Sequence, residues 1–99
     1  FGWIRDIGGF RKRKLQRNFF ASLRRLERLI NESPGDIVRG LFIIELFRVY
    51  QTIEELSIIT PVPASLMEDL NDLARRDLTA EQKRWTILRI RHSHYQLHQ

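Results

Sequence analysis

The stretch 33–60, SPGDIVRGLFIIELFRVYQTIEELSIIT, constrains the fold more than any other part of this chain. It opens with a helix-start signal: Ser33 as N-cap, Pro34 at the first helical position, and Asp36 where its charge suits the helix dipole. It closes at Thr60–Pro61, because the residue before a proline is driven out of the α region. Between these ends Val38, Phe42, Leu46, Val49, Ile53 and Leu56 recur at spacings of three or four, which is one helical face. Ile37, Leu41, Ile43, Ile44 and Phe47 fill much of the remaining circumference of its first half. A helix apolar nearly all round is buried or spans a membrane. Arg39, Glu45 and Arg48 argue against spanning, since each costs a few kcal/mol or more in lipid. The stretch therefore predicts the central hydrophobic helix of a small bundle.

A second helix is predicted over 10–31, FRKRKLQRNFFASLRRLERLIN, with Leu15, Phe19, Leu23, Leu26 and Ile30 on one narrow stripe. Its other side is basic, and the charge of the whole chain is concentrated there. Residues 1–49 carry eleven Lys/Arg against five acids, whereas residues 50–99 carry six against seven, within a net charge of +5. Glu27 is the only acid between Arg11 and Asn31. Wound as a helix, Arg13, Arg17, Arg24 and Arg28 form a cationic rail roughly 22 Å long. Arginine forks suit phosphate oxygens, and Phe20 beside the rail would stack on an unpaired base. The expected nucleic-acid contacts are Arg11, Lys12, Arg13, Lys14, Arg17, Phe20, Arg24, Arg25 and Arg28. The plainer alternative is a solvated helix face. The run Arg11–Lys14 also matches a nuclear localisation signal, a short pattern that arises readily by chance. Otherwise the sequence points to an intracellular protein.

The first nine residues, FGWIRDIGG, read as an arm, either folded back on the core or inserted with Trp3 and Ile4 at an anionic membrane surface. The amino end lacks the charged-then-apolar order of a secretory signal. Beyond the central helix, Pro61–Val62–Pro63 is a stiff connector. A short helix over 64–76 follows, with Leu66, Leu70 and Leu73 inward and Glu68, Asp69 and Asp72 outward. Thr79 and Gln82 form a capping box that opens a last helix over 80–95, with Trp85 and Leu88 expected inward and Ile87 and Leu97 as further candidate contacts. The two helices make a poor DNA-reading pair, because the turn has no glycine and the first helix is acidic.

Chemistry finds little foothold. There is no cysteine, no Gly-rich phosphate loop and no nucleophile–base constellation, so no enzyme activity, cofactor or metal is expected. His94 and His98 stand four apart, but in a polar terminal tail with no further ligand nearby in sequence.

The sequence thus predicts one all-α domain over 1–99, a small four-helix bundle with helices at 10–31, 34–59, 64–76 and 80–95. The leading functional expectation is a non-enzymatic accessory factor of viral or regulatory type that binds nucleic acid, RNA or single strands being favoured, or another polyanion. The alternatives are a regulatory protein-interaction module, homodimeric or heteromeric, using Ile43, Ile44 and Phe47, or a matrix-like protein on anionic membranes.

Overall fold

The structure, a computed structural model, describes residues 9–32 and 36–93, with side chains at 36–38 left aside. These residues form four α-helices: α1 (Phe10–Glu32), α2 (Asp36–Ile59), α3 (Ala64–Leu73) and α4 (Ala80–Ser93). The protein is all-α, a small helical bundle, as the hydrophobic periodicity predicts. Ser33 and Pro34, the arm through residue 8, and His94 and His98 lie outside the described residues, as does any part of the last helix past Ser93.

The apolar faces expected of α1, α2 and α3 are buried where they are described, with Ile30 at the end of the α1 stripe only half-buried. Leu15, Phe19, Leu23 and Leu26 of α1 meet Phe42, Leu46, Val49, Ile53 and Leu56 of α2 in one core. Leu66, Leu70 and Leu73 of α3 complete it with Ile87 and Ile90 of α4. The helices run antiparallel in pairs, as their cross-links show. Arg11 reaches Glu55 at 3.9 Å and Arg25 reaches Glu45 at 2.8 Å, tying opposite ends of α1 to α2. Arg91 bonds Glu27 at 3.0 Å and Arg84 bonds Asn31 at 2.9 Å, laying α4 along the carboxyl half of α1. Arg89 meets Asp69 at 3.0 Å and Asp72 at 3.4 Å, so the acidic face of α3 is partly neutralised by α4.

The capping box forms as the sequence predicts. The Thr79 N–H donates to Gln82 Oε1 at 2.8 Å, and the Gln82 N–H donates to Thr79 Oγ1 at 3.1 Å. Two expectations are corrected. Helix α3 stops at Leu73 rather than at 76, because the Ala74 N–H is shared between the Leu70 and Asn71 carbonyls and the chain then turns. Arg75 forks onto both oxygens of Asp77 and fixes that turn. In α4, Trp85 (64% exposed) and Leu88 (42%) face outward, while Thr86, Ile87 and Ile90 face in. Helix α4 is basic on several sides and has no clean apolar stripe, so side-chain size is a poor guide to its register.

Candidate functional site

Helix α1 covers one side of α2 and leaves the other side uncovered. At 100° per residue, the buried positions Phe42, Leu46, Val49 and Ile53 give way first to Arg39, Ile43 and Tyr50, then to Phe47, Gly40 and Ile44. Ile43 (50% exposed), Ile44 (56%) and Phe47 (66%) stand on the surface. Nothing lies within 4 Å of where a Gly40 side chain would begin, so the backbone is bare beside them.

Part of this face is the wall of a cleft of about 720 Å³. Arg39, Phe42, Ile43, Leu46, Phe47 and Tyr50 form the α2 side. The end of α3, the following turn and the first turn of α4 form the other, through Leu73, Arg75, Arg76, Leu78 and Lys83. Two contacts bridge it. The Tyr50 hydroxyl donates to Asn71 Oδ1 at 2.7 Å, and the Lys83 ammonium stands 4.5 Å from the centre of the Phe42 ring. The floor is apolar, and the described lining contains four cations and no carboxylate. Arg75 is engaged by neighbouring Asp77 at 2.6 Å. Burial, and secondly the like charge of Arg39, lower the Lys83 pKa below its ordinary value. Burial raises that of Tyr50.

The residues expected to bind nucleic acid are dispersed among several environments. Arg13, Lys14, Arg17, Arg24 and Arg28 are exposed. Arg24 and Arg28, however, share a shallow depression with Glu27, Glu32 and Arg91, which breaks the single sign of the rail. Arg11 faces Glu55, and Arg25 is held by Glu45 and Ser22 in the α1–α2 interface. Lys12 is half-buried. Phe20 offers no stacking surface: it is 2% exposed and sits edge-on to Phe19, ring centres 5.0 Å apart. Helix α1 packs against both α2 and α4, so its buried arc is wider than one stripe and takes in Phe20. Among the described residues no group of His, Asp or Glu is placed to hold a metal ion, and no helix is long and apolar enough to cross a membrane.

The family model described as ATP synthase regulation protein NCA2 matches residues 2–94. The chain belongs to this family. No curated protein and no solved structure gave a match. Membership in the NCA2 family corrects the expectation drawn from charge: the family is one of ATP synthase regulation proteins, not of nucleic-acid-binding or viral-type accessory factors. The basic run on α1 misled because surface charge reports attraction to anions in general and carries no partner identity. Sequence reasoning also missed Arg39, Arg76 and Lys83 as neighbours, since they come from three separate segments with no shared local pattern.

Proposed function

We propose that this chain is a docking module of an ATP synthase regulation protein, acting by binding another protein and catalysing nothing. The observation that carries this reading is the uncovered apolar row Ile43, Ile44 and Phe47 on a helix whose opposite face is fully committed to the core. Contiguous apolar surface rimmed by charge characterises protein interaction sites, and a regulator needs contact rather than chemistry to change a target's amount or activity. The family description supports the regulatory half of this reading.

The test is complementation. In cells lacking the encoding gene, the unaltered gene should restore ATP synthase activity. Genes carrying Phe47→Glu or Ile44→Glu should fail to restore it, while circular dichroism shows that both variant chains keep their helicity. Full restoration by both variants would overturn the reading.

A further inference from the structure

We propose that the cleft between α2 and the α3–α4 turn receives an acidic amphipathic helix of a partner protein. The proposal rests on the docking reading above and names the class of its partner.

The shape fits a helix. The α2 wall runs from Arg39 to Tyr50, which at 1.5 Å per residue is about 16 Å, or three helical turns. A helix satisfies its own backbone and needs from its groove only an apolar floor and suitable flanks. Phe42, Ile43, Leu46, Leu73 and Leu78 supply the floor. An added strand is not accommodated, because the described residues form helices and present no sheet edge.

The charge selects the sign. Setting aside Arg75, which Asp77 engages, Arg39, Arg76 and Lys83 remain around the apolar floor with no described carboxylate in the lining. The contact between Lys83 and the Phe42 ring orients the ammonium without neutralising it. Carboxylates flanking the apolar stripe of an incoming helix would meet these three cations, and desolvation on docking would strengthen the pairing. A second copy of this chain is the poorer occupant. Its own apolar row is flanked by Arg39 and Arg48, so a two-fold contact through α2 would set arginine against arginine.

Fluorescence anisotropy with the whole 99-residue chain tests the proposal. The probe is a labelled helical peptide of about 16 residues, with leucines on one stripe and glutamates flanking it. The comparison peptide carries lysines in place of those glutamates. The Glu peptide should bind at least about tenfold more tightly than the Lys peptide. Arg39→Glu and Arg76→Glu, both at exposed positions, should each weaken it about tenfold and leave helicity unchanged. Equal affinity for the two peptides, or no effect of either reversal, overturns the proposal. So does sedimentation as a dimer that Phe47→Glu converts to monomer, or binding confined to anionic phosphatidylserine vesicles. The two readings separate in complementation. If Phe47→Glu abolishes restoration but the Glu peptide does not bind, docking stands and the acidic helix falls. If the peptide binds as expected but Phe47→Glu restores fully, the cleft stands and the regulatory role falls.

Discussion

Arg25 Nε and Glu45 Oε1 lie 2.8 Å apart across the α1–α2 interface, twenty residues apart in sequence. The Glu45 side chain is almost wholly buried, whereas that of Arg25 is nearly half exposed. Burial by itself would raise the Glu45 pKa. Hydrogen bonds from Arg25 and Ser22, with the charges of Arg25 and Arg48, outweigh it and hold the pKa below the ordinary 4.5. A carboxyl with a lowered pKa contributes stability that is present above 4.5 and is lost as pH falls through the lowered value. Glu45→Gln should therefore cost about 1–2 kcal/mol at neutral pH, the low end for a buried charged hydrogen bond because Arg25 is partly hydrated. The cost should shrink under acid conditions. Urea midpoints at neutral and acid pH check both; a cost independent of pH would show that Glu45 is held by packing alone.

Phe20 and Phe47 should behave oppositely on truncation. Phe20→Ala opens a cavity beside Phe19 and should cost about 3–5 kcal/mol. Phe47→Ala removes a ring that is largely in water and should cost no more than about 0.5 kcal/mol. Equilibrium unfolding of the two variants decides it, and equal losses would mean that Phe47 is core.

That contrast also marks how far the sequence was legible. Faces with one neighbour read correctly: the inward row of α2 from Phe42 to Leu56, and Leu66, Leu70 and Leu73 of α3, follow from spacing alone. So do the outward positions of Ile43, Ile44 and Phe47, since a few short helices cannot surround a helix apolar nearly all round. Phe20 was misplaced because α1 has two neighbours, and a stripe calculation assumes one. Trp85 was misplaced because Ile87 and Ile90 fill the space inside α4 and leave the larger ring outside. The cleft was invisible because three of its four cations come from beyond residue 73, and only tertiary packing brings them to α2.

Gly40 sits inside α2, where glycine is about 0.5–1 kcal/mol less favourable than alanine. A methyl there meets nothing within 4 Å, and the φ angle is ordinary for a helix. Gly40→Ala should therefore stabilise the fold by about 0.5–1 kcal/mol, seen as a higher urea midpoint with an unchanged slope. Should the midpoint fall, some neighbour must occupy that space in solution.

The sharpest probe of the cleft is Lys83, whose ammonium stands over Phe42 with Arg39 nearby. Burial first and Arg39 second lower its pKa from 10.5, so the folded state is penalised while the amine is charged. That penalty is full below the lowered pKa and disappears as pH rises past 10.5, so this group makes the fold more stable toward alkali. Tyr50 works in the other direction: burial raises its pKa, giving stability that is present below 10.0 and lost as pH rises through the raised value. Tyr50→Phe removes that opposing titration and serves as the background for comparison. On it, Lys83→Met keeps an apolar stem, loses a cation–π contact worth about 0.5–1 kcal/mol, and removes the desolvated charge. The difference in stability between the single and double variants should accordingly shift in favour of lysine as pH climbs toward 10.5. A difference flat in pH would mean that water reaches Lys83 freely. Addition of the glutamate-flanked peptide should flatten it too, because the negative charge of a carboxylate beside the ammonium raises its pKa back toward the ordinary value, whereas the lysine-flanked peptide should not.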